Sequence, residues 1–174
     1  GGSDYAKQLE QLGEDTLKLF KFVFSENGLV AYENGEIINN ENIVKKIGEQ
    51  SFTKLINICL NALSKCDSTC KRGNFIELRT GMLNISPIGR SCNQEEREQF
   101  YKEDSNHKYR EQLINNIKLR WDEHIYESEE KEVKLQFSIG GMISVDIFPE
   151  GWDKTYCLDF VKDKYDKIYF FGDK

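Results

Sequence analysis

The spacing of apolar and polar positions divides the chain into stretches of helical period and stretches that alternate. In SDYAKQLEQLG, Tyr5, Leu9 and Leu12 recur at helical spacing, Ser3 is placed to cap the helix and Gly13 to stop it. KFVF and LVAY bracket SENG, and ENG precedes EII, a pattern of short strands joined by turns with the Asn-Gly signal. Residues 41–64 return to a helical period through Ile43, Ile47, Leu55, Ile56, Cys59, Leu60 and Leu63, with Gly48 a weak point in its continuity.

The middle of the chain reads as hairpins and helices. NFIELR and MLNISPI flank a Thr-Gly pair as one hairpin, although Phe75, Ile76 and Leu78 do not alternate cleanly and leave its inner face open. Asn93 with Glu96 three residues later predicts a capping box that opens a helix bearing Arg97 on its first turns, and a second helix is expected over 106–121. The acidic run DEHIYESEEKE reads as a solvated loop or a frayed helix end. VKLQFSIG and MISVDIF alternate on either side of Gly-Gly, setting Ile143, Val145 and Ile147 on one face and Met142, Ser144, Asp146 and Phe148 on the other. GWDKTYCLDFVK then reads as a helix and KIYFFGDK as an apolar strand ending in Asp173.

The predicted order is an α/β fragment, a four-strand antiparallel sheet with helices, and a return to α/β. Such a change of style and back points to a second domain inserted into a first. Because an N-cap turn normally follows the strand that positions it, a chain opening on GGSD is expected to have sequence upstream.

Composition narrows the function. With 174 residues, 39% hydrophobic and 31% charged, the chain is suited to a packed core in one or two domains. A net charge of −6 argues against a nucleic-acid role, which needs a concentrated basic face. No apolar run is long enough for a membrane span, GGSDYAKQLEQLG lacks the pattern of a signal peptide, and the five cysteines are irregularly spaced; a cytoplasmic protein with reduced thiols is expected. Cys66 and Cys70 form a CxxxC that His107 and His124 are badly spaced to complete as a zinc site.

Against that acidic background, RTGMLNISPIGRSCNQEER gathers Arg79, Arg90 and Arg97. Surface salt bridges would account for them at little energetic gain. Their grouping at strand ends and on the following helix favours an anion site, since a guanidinium fork matches phosphate oxygens and stays charged. Ser144 and Asp146 share one strand face, either as an ordinary half-exposed surface or as a floor of hydrogen-bonding groups for a sugar. Ser3 fits plain capping or a phosphate contact at a helix N-terminus. Lys154 is either a solvated lysine or a partner for an anion. Asp173, just past a strand end, is either a turn residue or a metal or substrate ligand.

ENGLVAY, RTGMLNISPIGRSCNQEER, FSIGGMISVDIFPEGWDK and YFFGDK together resemble the eukaryotic phosphomannomutase family of the haloacid dehalogenase superfamily, over essentially the whole chain. The resemblance implies an α/β Rossmann-like core, partial here, over 1–38 and 148–174, with an α+β cap built on an antiparallel sheet inserted over 39–147. It implies interconversion of mannose 6-phosphate and mannose 1-phosphate through an aspartyl-phosphate, with Mg²⁺ as cofactor, a hexose 1,6-bisphosphate activator and a homodimer paired through the cap. By position, Arg79, Arg90, Arg97, Ser144 and Asp146 match substrate contacts in the cap, Ser3 and Lys154 match groups around the transferring phosphoryl, and Asp173 matches the metal-binding motif. The family's DxDGT-type segment does not occur in these 174 residues, so the chain by itself is expected to be inactive. A sugar-phosphate phosphatase of the same superfamily and a non-catalytic sugar-phosphate-binding module are the rival expectations.

Overall fold

The structure is a computed structural model that describes residues 3–68, 70–128 and 133–169. The chain divides into two compact units, one of Gly1–Glu41 with Gly151–Lys174 and one of Asn42–Glu150. Both combine helices with antiparallel sheet. Every pairing among the described strands is antiparallel, so the parallel crossovers of a Rossmann-like sheet are not among them.

In the first unit, helix α1 (Tyr5–Leu12) is capped by Asp4 rather than Ser3: the Asp4 carboxylate accepts the Lys7 N–H at 2.7 Å. A carboxylate reaches the first-turn donors and also meets the positive end of the helix dipole, an advantage the serine lacks. None of the side chains of α1 is buried. The helix is held instead by Gln8, whose Nε2 donates to the Phe24 carbonyl at 2.8 Å and whose Oε1 accepts from Ser25 Oγ at 2.9 Å. After the short helix α2 (Thr16–Leu19), strands β1 (Phe22–Ser25), β2 (Val30–Glu33) and β3 (Glu36–Asn40) form a meander in that order. Val23, Leu29, Ala31 and Trp152 are its buried apolar residues.

Two expectations in this unit change. The stretch GWDKTYCLDFVK forms a short 3-10 helix, Tyr156–Phe160, not an α-helix. The Asp153 carboxylate takes both the N–H and the hydroxyl of Thr155, at 2.8 and 2.6 Å, which fixes a local turn in place of the first α-helical bonds. Lys154 lies exposed in that turn rather than at the start of an α-helix. Residues 167–169 are not in a strand, and the remainder of the expected terminal strand, with Asp173, lies outside the described residues.

In the second unit the helix expected over 41–64 is two, α3 (Ile43–Ile47) and α4 (Glu49–Ser64), parted at Gly48. Strands β4 (Ile76–Leu78), β5 (Leu83–Ile85), β6 (Leu135–Gly140) and β7 (Ser144–Pro149) form one sheet in the order β4-β5-β7-β6. Between them run α5 (Gln94–His107) and α6 (Tyr109–Ser128). The boundary between these two helices is the left-handed Lys108, and α6 runs on to Ser128, so that of the two readings of the acidic run, solvated loop or frayed helix end, its first part is helix end. Leu113, Ile117 and Trp121, four residues apart, are all buried, and that apolar stripe carries the helix through its charged neighbours.

Cross-strand register separates the two faces of this sheet. Leu83 lies opposite Ile147 and Ile85 opposite Val145, and all four are fully buried. The alternate positions make a polar row that crosses all four strands: Glu77 beside Asn84, Asn84 beside Asp146, and Asp146 beside Ser138. Neighbours in such a row stand with Cβ atoms about 5 Å apart, close enough for short polar side chains to bond directly.

Candidate functional site: an arginine cluster on a polar sheet face

The cluster begins with the backbone around PIGR. Beyond β4 and β5 the two chain segments stay paired: Ser86 N–H donates to the Phe75 carbonyl at 2.8 Å, Arg72 N–H to Ile88 at 2.8 Å and Arg90 N–H to Asn74 at 3.1 Å. Gly89 sits in this contact with φ +83°, and a Cβ there would collide with the backbone of Gly73. Glycine is therefore required for the two backbones to approach, and the approach fixes where Arg90 leaves the chain. Arg79 follows directly on β4, its N–H bonded to the Met82 carbonyl at 2.9 Å.

Arg97 is placed by the start of α5. The predicted capping box is complete, with the Asn93 side chain accepting from Glu96 N–H at 2.9 Å and Glu96 accepting from Asn93 N–H at 3.0 Å. Arg72 Nε donates to the same Glu96 carboxylate at 2.7 Å, tying the helix start to the segment beside PIGR. The Asn93 N–H and then the Arg72 guanidinium hold the Glu96 carboxyl below the usual carboxylate range.

Two of the guanidinium groups share a carboxylate, and the third bonds to backbone. Glu77 bridges Arg79 and Arg90, with Oε1 3.1 Å from Arg79 Nε and Oε2 2.6 Å from Arg90 Nε. Arg90 Nη1 donates to Asn84 Oδ1 at 2.5 Å, and Asn84 Nδ2 donates to Asp146 Oδ1 at 2.6 Å. Arg97 donates from Nη2 to the Arg90 carbonyl at 3.1 Å and from Nε to the Cys92 carbonyl at 3.4 Å, and it has no carboxylate partner among the described residues.

Asp146 and Ser144 share the polar face, and the space beside them is made by Gly140. A Cβ on Gly140 would stand 2.7 Å from Asp146 Oδ2 and 3.2 Å from Ser144 Oγ, and Ser144 Oγ donates to the Gly140 carbonyl at 3.0 Å. Ser86, fully buried, leaves its hydroxyl without a partner among the described residues; continuing the register of β5 and β7 by one residue sets it beside Ser144.

Arg79, Arg90, Arg97, Ser144 and Asp146 thus belong to one unit, and hydrogen bonds through Glu77 and Asn84 link Arg79, Arg90 and Asp146. Ser3 and Lys154, both exposed, belong to the other unit; the Ser3 carbonyl accepts the Glu26 N–H at 2.9 Å. Asp173 lies outside the described residues. The sequence reading missed Glu77 and Asn84. The signal was there: each is a polar residue between two apolar ones, in IEL and LNI, and so must face away from the apolar side of the sheet.

Another guanidinium–carboxylate pair in the same unit is closed to solvent. Arg110 Nε meets Asp104 Oδ2 at 2.8 Å, the second Asp104 oxygen accepts the Arg110 N–H at 2.9 Å, and Arg110 Nη1 reaches the Gly141 carbonyl at 2.9 Å. This pair ties α5 and α6 to the β6–β7 turn from which Ser144 projects. The five thiols are unbridged, and burial pushes that of Cys59 up to about 12, which removes it as a nucleophile. Among the described residues no group of three or more His, Cys, Asp or Glu side chains is placed to hold a metal, and no helix is long and apolar enough to cross a membrane.

The arrangement defines an α/β protein with a cluster of arginines beside a polar sheet face. Comparison with known proteins makes this specific: the model of the eukaryotic phosphomannomutase family matches residues 1–174. A phosphomannomutase of Galdieria sulphuraria is 51% identical over 174 residues, covering 100% of this chain and 65% of the relative. One of Dendrobium officinale is 48% identical over 174 residues, again covering 100% of this chain and 65% of the relative. Phosphomannomutase 2 of Dictyostelium discoideum is 48% identical over 175 residues, which cover 100% of this chain and 67% of the relative. The chain belongs to the eukaryotic phosphomannomutase family, and it spans about 65% of the length of the first two relatives.

Proposed function

We propose that the full-length protein is a phosphomannomutase, interconverting mannose 6-phosphate and mannose 1-phosphate, and that the Asn42–Glu150 unit is its substrate-recognition cap. The observation that carries this is the joining of Arg79 and Arg90 to Asp146 through Glu77 and Asn84, with Arg97 bonded to the Arg90 carbonyl. Guanidinium groups suit the phosphate that is not reacting, and the Asp146 carboxylate and Ser144 hydroxyl suit the sugar hydroxyls beside it.

A clamp of this kind has a use in a mutase. The sugar must present first one end and then the other for phosphoryl transfer, and one set of arginines serves whichever phosphate is distal. In the proposed ping-pong scheme an aspartate takes a phosphoryl from a hexose 1,6-bisphosphate, which leaves as a monophosphate, and donates it to the free hydroxyl of a bound hexose monophosphate; the bisphosphate so formed reorients and returns its other phosphoryl to the aspartate. The 174 residues hold no DxDGT-type segment, so turnover is proposed for the full-length protein and none for these residues alone. Ser3 and Lys154 are proposed to contact the transferring phosphoryl and balance its charge.

Magnesium is proposed with Asp173 as a ligand, where it would offset charge on the phosphoryl oxygens. Pairing of two copies through this unit and a cytoplasmic location complete the proposal. The decisive experiment is a mutase assay on the full-length protein with mannose and glucose phosphates, primed by glucose 1,6-bisphosphate. Isomerisation without net release of phosphate is the expected result, release of inorganic phosphate would make it a phosphatase, and binding without either reaction would leave a sugar-phosphate-binding module.

A further inference from the structure

We propose that Glu77 is a competitor built into the anion site: a carboxylate that holds Arg79 and Arg90 when no phosphate is bound and yields them when one arrives. This rests on the phosphate-clamp reading above and deepens it by assigning how the clamp lets go.

The geometry carries the inference. Each Glu77 oxygen meets a different guanidinium, at 3.1 Å from Arg79 Nε and 2.6 Å from Arg90 Nε, which is how two oxygens of one phosphate would bridge the same pair. The Glu77 side chain is 41% exposed, Arg79 41% and Arg90 33%, so an anion from solvent has access to all three. Glu77 rises from the sheet opposite Asn84, and rotation about its own side-chain bonds frees both arginines without moving a strand.

The partners of Arg90 differ in kind. Asn84 is neutral and 3% exposed, and its bond to Arg90 Nη1 fixes direction without competing for charge. Glu77 competes for charge. Arg97, bonded to carbonyls and with no carboxylate partner at ion-pair distance among the described residues, is the cation that draws the anion in. A site built only for tight holding would leave all three arginines free. A carboxylate that recaptures two of them as the phosphate leaves shortens the hold, which suits a sugar that must be turned end for end.

The test is Glu77→Gln in the full-length protein, which removes the charge and keeps the shape. Isothermal calorimetry with inorganic phosphate and with mannose 6-phosphate is expected to show binding tightened about two- to fivefold, the range that exposed ion pairs command. Nuclear magnetic resonance of the arginine Nε–H groups gives a second readout: the substitution is expected to shift Arg79 and Arg90 in the free protein, with the difference disappearing at phosphate saturation. Unchanged or weaker binding in Glu77→Gln would overturn the inference; should that variant melt early, Glu77→Ala is read in the same way. Arg90→Ala, measured in parallel, separates the two readings. If it weakens binding while Glu77→Gln does not tighten it, only the competition fails; if wild type binds neither ligand, or binds them equally well after Arg90→Ala, the clamp itself fails.

Discussion

Two of the guanidinium–carboxylate pairings in the second unit differ in burial, and burial gives each a different use. Arg110 and Asp104 have side chains only 5% and 8% exposed, and backbone carbonyls of the β6–β7 turn take up further donors of the arginine. Arg79 and Arg90 share Glu77 in a region a third or more exposed. A sealed pair cannot be exchanged for a pair with solvent or ligand, so it acts as a fixed link between helices and turn. An open pair is nearly neutral for stability and free to change partners, which is what a binding site needs.

The largest expected effect is at the sealed pair. Arg110→Ala leaves Asp104 buried and unpaired and is expected to cost about 3–5 kcal/mol of stability, seen as a large fall in the midpoint of chemical denaturation. At the open pair, Arg90→Ala is expected to lower that midpoint by less, through the loss of its bond to the buried Asn84, while weakening mannose 6-phosphate binding by about 1.5–3 kcal/mol in calorimetry. Equal loss of stability in the two variants would show that burial does not set the two pairs apart.

Smaller effects test how Arg97 is held. Asn93→Ala removes one half of the capping box and is expected to cost about 0.5–2 kcal/mol, with the amides of the first turn of α5 exchanging faster with solvent. The other half titrates. The Glu96 carboxyl is held low in the folded state by the Asn93 N–H and by Arg72, so its support is present above the ordinary carboxylate pKa of about 4.3. That support is lost as pH falls through the ordinary value and on through the depressed one. Amide exchange at the start of α5 should quicken over that acid range in wild type and be insensitive to it in Glu96→Gln.

Local signals in the chain made several of these features legible. The capping box at Asn93 and Glu96, the β6–β7 hairpin and the buried face of Ile143, Val145 and Ile147 follow from spacing, since each depends on residues close together in sequence. The cap of α1 went to Asp4 because two adjacent residues competed for it, and the helix expected after Trp152 gave way to the Asp153 turn. In both places a side chain bonding to nearby backbone outweighed periodicity. The acidic run after Trp121 is compatible with a loop and with a helix end, and the buried stripe of Leu113, Ile117 and Trp121 decides for helix as far as Ser128.

By itself the sequence determined the inventory: three arginines in one stretch, the alternation of β7 that puts Ser144 and Asp146 on one side, and family membership through motifs spread along the chain. Only the tertiary structure decided the connections. Asn84 meets Asp146 across 62 positions of sequence because β5 and β7 are paired in one particular register. A slip of one residue would turn every side chain of a strand to the opposite face. Which arginine is a sealed link and which an open hand was likewise decided by packing, because the worth of an ion pair is set by the solvent around it, and no single residue carries that property alone.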